Sequence, residues 1–287
     1  MINIPLYDKP LYNGCEKSFL QFNERPASPE LDGILRPAVI VFPGGGYEFL
    51  SDREAYPVAD LFSSHGCVSF ILRYAIKPYC GEINPLLDAA RAIIYLREHA
   101  EEYRIDPHKI AVCGFSAGGH LAGYISTRYD DERVLEKLGA EKGDARPDAA
   151  ILCYPVVTSV KAAHRHSFIN LYGKDADVFT EDELRRVSLE LNVTENTPPA
   201  FIWTTSDDAL VPSSNSLLYA SALYEHGVPY ELHVFPSGAH GLAMADRGTR
   251  PALDHDGVYV SPYAARWTEW AASWLYYTFY GDKGYIR

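Results

Sequence analysis

A serine set among glycines, in Gly114-Phe115-Ser116-Ala117-Gly118-Gly119, is the sharpest chemical signal in the chain. An apolar run, 109–113, leads into it and a helical pattern, 117–128, leads out. Gly-x-Ser-x-Gly between a strand and a helix is the setting of a nucleophile elbow. The bend is tight, so Gly114 and Gly118 avoid Cβ clashes and Ser116 can take a strained conformation that exposes its hydroxyl above a helix N-terminus. A glycine-rich turn with an incidental serine would need neither flanking element.

A serine hydroxyl is a weak nucleophile at its own pKa and requires a base that a carboxylate orients. Two segments that follow apolar runs offer these groups: 205–212 holds Asp207 and Asp208, and 236–241 holds His240. The chain has ten histidines. His233 lies in a strand pattern, His99 and His108 near helix and loop surfaces, and His120 in the helix after the elbow. His164, His166 and His255 fall in irregular segments that favour solvated roles, and His255 is the main rival. His240 alone combines a post-strand loop with small neighbours, Gly238 and Gly241, that let the backbone bring an imidazole over Ser116. The residues leave the choice between Asp207 and Asp208 open, because neighbours in an extended stretch point opposite ways.

A second glycine cluster, Pro43-Gly44-Gly45-Gly46-Tyr47, also follows a strand pattern. Its amides could converge with that of Ala117 on a tetrahedral oxyanion. A nucleotide-binding turn is weakly supported, since the cluster lacks both G-x-G-x-x-G spacing and a Gly-Lys-Ser/Thr ending.

The elements that must position these groups are legible as alternation. Apolar runs at 37–42, 68–72, 109–113, 149–153, 200–204 and 231–235 alternate with helical patterns at about 54–65, 85–103, 117–128, 213–226 and 262–280. This predicts a parallel sheet covered by helices. The last run alternates in polarity and is expected near an edge. Segments 2–7 and 18–22 are expected to pair as an antiparallel extension. The stretch 157–196 breaks the alternation and reads as a cap-like excursion. Without repeats or a long linker, the expectation is one domain over residues 1–287.

The 287 residues are 47% hydrophobic and 22% charged, and the formal charge is −12. That balance fits a soluble globular protein and argues against nucleic acid and anionic membranes as partners. With no leader pattern and no run of 18 apolar residues, the chain reads as cytoplasmic. Five cysteines without C-x-x-C spacing suggest neither a disulfide framework nor a zinc site. Cys67, Cys113 and Cys153 read as reduced core residues.

With these motifs in hand, the chain resembles the acetyl esterase/lipase-like serine esterases of the α/β-hydrolase fold, a group that includes xylan and other carbohydrate deacetylases. The likeness runs from about Pro37 to Leu275. It rests on Phe42-Pro43-Gly44-Gly45-Gly46-Tyr47, Leu72-Arg73-Tyr74, Gly114 to Ala122, Asp208-Ala209-Leu210-Val211-Pro212 and Gly238-Ala239-His240-Gly241. It implies a mostly parallel central sheet of about eight strands with helices on both faces, a Ser116–His240–Asp208 triad, and an oxyanion hole formed by Gly45, Gly46 and Ala117. Asp208 is preferred over Asp207 because in this family the acidic residue precedes a Val-Pro pair by two intervening residues. Pro43 departs from the His-Gly-Gly-Gly of many relatives, so support for that loop must come from elsewhere.

The implied activity is hydrolysis of short-chain, chiefly acetyl, esters of a small molecule or oligosaccharide through an acyl-enzyme, with no metal or organic cofactor. The 21 tyrosines and 4 tryptophans offer faces for stacking on sugar rings. Two enzymatic alternatives, a lipase or a peptidase of the same fold, are disfavoured by the charged excursion (Lys161, Arg165, Lys174, Asp175, Asp177, Glu181, Asp182, Glu183) and by the short length. An inactive ligand-binding module is disfavoured by the presence of all three triad residues. A homo-oligomer stays open.

Overall fold

The computed structural model describes residues 1–24, 33–160, 163–174, 178–254 and 256–281. Its strands are β1 (Ile2–Pro5), β2 (Phe19–Phe22), β3 (Arg36–Phe42), β4 (Val68–Arg73), β5 (Ile105–Phe115), β6 (Ala149–Cys153), β7 (Ala200–Thr205) and β8 (Tyr230–Phe235). They form one sheet in the order β1-β2-β4-β3-β5-β6-β7-β8. β1 with β2 and β2 with β4 are antiparallel, and the other pairs are parallel. Each expected strand is present. β8 is an edge strand with mixed exposure, as its alternation predicted.

The central strands are apolar on both faces because helices cover both. On β3, Val39 and Val41 pack with Val58, Ala59 and Phe62 of α1 (Tyr56–Ser64) and Trp267, Ala271 and Leu275 of α9 (Trp267–Tyr280). The alternate residues Ala38, Ile40 and Phe42 join a core with α2 (Asn84–Glu98), α4 (Ala117–Arg128) and α8 (Ser214–Glu225). The period of two along β3 thus sorts its side chains between two cores. Together these elements make the α/β-hydrolase fold. All five cysteines are free and buried.

The details depart from the sequence reading in three places. The helix expected over 85–103 is interrupted at His99, leaving a short α3 (Ala100–Tyr103). A helix not foreseen, α5 (Glu132–Leu138), is capped by the Asp131 side chain accepting from the Arg133 amide, and Gly139 closes it in the left-handed region. Seven residues are too few to establish a helical period. In the excursion His166 falls within α6 (Arg165–Tyr172) rather than in an irregular segment, while α7 (Glu181–Val187) starts where the acidic run 180–183 signals a helix. The acidic start of α7 is a capping box, with Thr180 and Glu183 satisfying each other's backbone amides.

Candidate active site

Ser116 stands where β5 turns into α4. Its backbone has φ 52° and ψ −116°, a region L-residues populate only when their surroundings over-determine it. Those surroundings are specific. The Ser116 amide donates to the Cys153 carbonyl at 3.0 Å, and the Ser116 carbonyl accepts from His120 at 2.9 Å and Val156 at 3.2 Å. A Cβ on Gly114 would sit 2.1 Å from the Gly118 carbonyl oxygen, and one on Gly118 would sit 2.1 Å from that of Phe42. Both flanking positions therefore exclude any side chain.

His240 arrives from the loop after β8. Its Nε2 is 2.8 Å from Ser116 Oγ and its Nδ1 is 2.7 Å from Asp208 Oδ2. With Nδ1–H donating to the carboxylate, Nε2 is free to accept from the serine hydroxyl. Asp208 is 5% exposed, and its second oxygen, Oδ1, accepts from the amides of Leu210 and Val211, each at 2.9 Å. That leaves Oδ2 for the imidazole. Asp207 points the other way. Its oxygens accept from Ser237 Oγ at 2.6 Å and the Gly238 amide at 2.8 Å. The Ser237 bond is the main reason its carboxyl is held below its usual pKa. Asp207 thereby caps the loop that carries His240.

The glycine loop is fixed through its carbonyls. Gly44 O accepts from Ser51 N at 3.0 Å, and Gly45 O accepts from Glu48 N at 3.0 Å and Phe49 N at 3.2 Å. Gly46 O accepts from Asn170 Nδ2 at 2.9 Å. Peptide planarity then directs the Gly45 and Gly46 N–H groups away from these partners. Gly45 (φ 134°) and Gly46 (φ 62°) have backbones that L side chains rarely adopt, and a Cβ on Gly45 would lie 2.0 Å from Phe49 O. Ala117 is the first residue of α4, so its N–H has no intrahelical acceptor. Among the described residues, no hydrogen bond uses the amide of Gly45, Gly46 or Ala117.

A cavity of about 300 Å³ opens over these groups, lined by Gly45, Gly46, Phe49, Ser116, Leu210 and His240, with Glu48, His164 and His166 also on its wall. His166 is exposed and lies 3.0 Å from Glu48 Oε2, and this bond is the main reason the Glu48 carboxyl stays below its ordinary range. His164 differs from the solvated role expected for it. It is half-buried and hydrogen-bonded to Ser167 Oγ at 2.8 Å, and burial first, then repulsion from His240 and His166, lowers its pKa from the ordinary imidazole value. His255 lies outside the described residues, as do Lys161, Asp175 and Asp177.

Several site residues escaped sequence reasoning. The sequence places His120 on the helix after the elbow without indicating its partners. It is fully buried and accepts from Tyr47 OH at 2.7 Å through Nδ1 while Nε2–H donates to Val187 O at 2.8 Å. Burial pushes its pKa down to about 4. It thereby braces Tyr47, which continues the glycine loop. Glu54 and Tyr154 also lie beside the site, joined by a hydrogen bond between residues too far apart in sequence to leave a local signal. Among the described residues no cluster of three or more His, Cys, Asp or Glu could hold a metal ion. No helix among them is long and apolar enough to cross a membrane.

Comparison with known proteins agrees with this architecture. The sequence is 36% identical to the acetyl ester-xyloside bifunctional hydrolase of Caldicellulosiruptor lactoaceticus, with a TM-score of 0.79 over 95% of this chain and 94% of that one. It is 38% identical to endo-1,4-beta-xylanase B of Butyrivibrio fibrisolvens over 75% of this chain and 34% of that protein. It is 33% identical to the acetylxylan esterase of Xylanibacter ruminicola over 72% of this chain and 41% of that protein. The chain thus spans well under half the length of these two relatives. The resemblance read from the motifs is borne out: the BD-FAE sequence profile matches residues 28–223, about two thirds of the chain, and the chain belongs to the BD-FAE family within the α/β-hydrolase fold.

Proposed function

We propose that this protein is a serine carboxylesterase that hydrolyses short-chain, chiefly acetyl, esters of a carbohydrate, with Ser116, His240 and Asp208 as its catalytic residues. The observation that carries the reading is the pair of contacts at 2.8 and 2.7 Å that joins the serine, the imidazole and the buried carboxylate.

In this reading Ser116 Oγ attacks the ester carbonyl as its proton passes to His240 Nε2. Asp208 holds the Nδ1–H tautomer and stabilises the imidazolium that forms. The amides of Gly45, Gly46 and Ala117 receive the charge that develops on the carbonyl oxygen. The tetrahedral intermediate collapses with cleavage of the bond to the alcohol oxygen, which takes the proton from His240. Water then gives a proton to His240 and adds to the acyl carbon, and the second collapse releases the carboxylic acid and returns the proton to Ser116.

The acyl and alcohol preferences rest on the printed activities of the relatives and on the cavity. Its apolar side chains are few, Phe49 and Leu210, beside glycines and polar groups, which suits a small acyl group better than a long chain. The excursion 157–196, which brings His164 and His166 to the cavity wall, is proposed as the cap on the alcohol side of a single catalytic domain. A hydrolysis series of aryl acetate, butyrate and octanoate, run beside acetylated xylo-oligosaccharides, tests the assignment. Acetyl esters are expected to lead; a preference for octanoate, or indifference to the sugar, would refute the substrate class.

A further inference from the structure

The support that His-Gly-Gly-Gly loops draw from their histidine has a different source here. The Gly44 amide donates to Glu54 Oε2 at 2.9 Å, and a Cβ on Gly44 would fall 2.6 Å from that oxygen. Glu54 ends the short 3-10 turn Asp52–Glu54 ahead of α1 and is 4% exposed. Its other oxygen, Oε1, accepts from the Tyr154 hydroxyl at 2.7 Å. That hydroxyl in turn accepts from the Ala243 amide at 2.8 Å.

Ala243 lies in the loop that carries His240, and the Tyr154 ring stands edge-on to the His240 ring with centroids 5.1 Å apart. The neighbouring Arg53 grips the same loop, donating to the carbonyls of Gly241 at 2.7 Å and Thr249 at 2.5 Å. Tyr154 (φ 37°) and Ala243 (φ 54°) both hold left-handed backbones, a strain that persists only where surrounding contacts impose it. One turn therefore touches the glycine loop and the imidazole loop at once.

We propose that Glu54 is a positioning residue that fixes the oxyanion amides and the His240 loop relative to each other, acting through Gly44 and Tyr154 rather than on the substrate. The inference rests on the esterase reading above. Two acceptor oxygens on one buried carboxylate set the spacing of two donors, and loss of the carboxylate leaves both donors buried and unpaired. Oxyanion geometry matters in the transition state and little in the ground-state complex, so the consequence falls on kcat rather than KM.

The test compares Glu54→Ala, Glu54→Gln and Tyr154→Phe with wild type in aryl acetate hydrolysis and in inhibition by an aryl trifluoromethyl ketone, which adds to the serine as an oxyanion. For Glu54→Ala, kcat is expected to fall roughly 30- to 100-fold with KM changed less than about threefold, and ketone affinity to fall in step with kcat/KM. Tyr154→Phe, which leaves the Gly44 bond intact, should lose roughly tenfold in kcat, and adding it to Glu54→Ala should cost almost nothing more. Glu54→Gln, whose amide oxygen can still accept from Gly44, should recover at least roughly tenfold over Glu54→Ala. An active Glu54→Ala with kcat within about threefold of wild type, or with KM raised and ketone affinity unchanged, overturns the proposal. If Glu54→Ala does not fold, unchanged kcat in both other variants overturns it equally. A wild type that neither hydrolyses aryl acetate nor binds the ketone defeats the esterase reading and this inference with it; an active wild type indifferent to Glu54 defeats the inference alone.

Discussion

Asp207 and Asp208 are adjacent in sequence and divide two tasks: Asp208 meets His240 Nδ1 at 2.7 Å, while Asp207 accepts from Ser237 and Gly238 and so ties down the loop that delivers His240. The turn that follows β7 sends one carboxylate into the site and the other to the surface.

The two aspartates should separate cleanly in mutagenesis. Asp208→Asn is expected to lower kcat by roughly 10³- to 10⁴-fold, because an amide cannot enforce the Nδ1–H tautomer. Asp207→Asn should cost less than about fivefold, since an exposed loop contact is being weakened rather than the reacting chain of groups. Steady-state kinetics on an aryl acetate decide; the opposite order would reassign the acidic residue.

This division also measures what the sequence carried. The elbow was legible because strand, glycine, serine and helix signals are contiguous and each is demanded by local sterics. His240 emerged from ten histidines because a post-strand position and small neighbours are also local features. The choice of Asp208 needed the family resemblance, since no local property of two adjacent carboxylates says which faces inward. Glu54 with Tyr154 was out of reach: their contact closes across 100 residues, and neither lies in a recognisable motif. His164 was misjudged as solvated because the packing of the excursion against the glycine loop leaves no periodic trace in sequence.

The elbow glycines should tolerate nothing larger. Gly114→Ala and Gly118→Ala each place a methyl carbon 2.1 Å from a backbone oxygen, where no rotamer can relieve the clash. Each is expected to destabilise the fold by at least about 3 kcal/mol and to abolish ester turnover, beyond the usual cost of overpacking because the obstacle is main chain. Thermal unfolding and activity of the purified variants test this; a stable, active Gly118→Ala would contradict the described turn.

His120 makes a pH-dependent contribution. Burial depresses its pKa to about 4 from an ordinary 6.5, so at acidic pH the unfolded chain binds a proton that the folded chain refuses. Stability from this group is full above about pH 6.5 and declines as pH falls toward about 4, by up to roughly 3 kcal/mol. Asp88 opposes it. Burial raises its pKa to about 6 from 3.8, so the folded state gains stability as pH falls across much of the same range. The His120→Gln variant isolates the first effect: its stability deficit relative to wild type should shrink between pH 7 and pH 4 in denaturant titrations. A deficit that stays constant would show that the imidazole is not held neutral.

The two histidines on the cavity wall, His164 and His166, should affect the alcohol side. His164→Ala and His166→Ala are expected to lower kcat/KM for acetylated xylo-oligosaccharides by roughly five- to tenfold while changing aryl acetate turnover less than about twofold, as the loss of one or two polar contacts to a substrate hydroxyl would do. Parallel kinetics on the two substrates provide the check, and equal losses on both would move these residues out of substrate recognition.

The central claim is most directly tested by active-site labelling. The folded protein is treated with an alkyl fluorophosphonate and the modified peptide is located by mass. A single adduct is expected on Ser116, absent in Ser116→Ala and formed at least roughly 10³-fold more slowly in His240→Ala, since the serine then lacks its base. Folded wild-type protein that stays unlabelled, or that carries the adduct on another residue, would contradict the account.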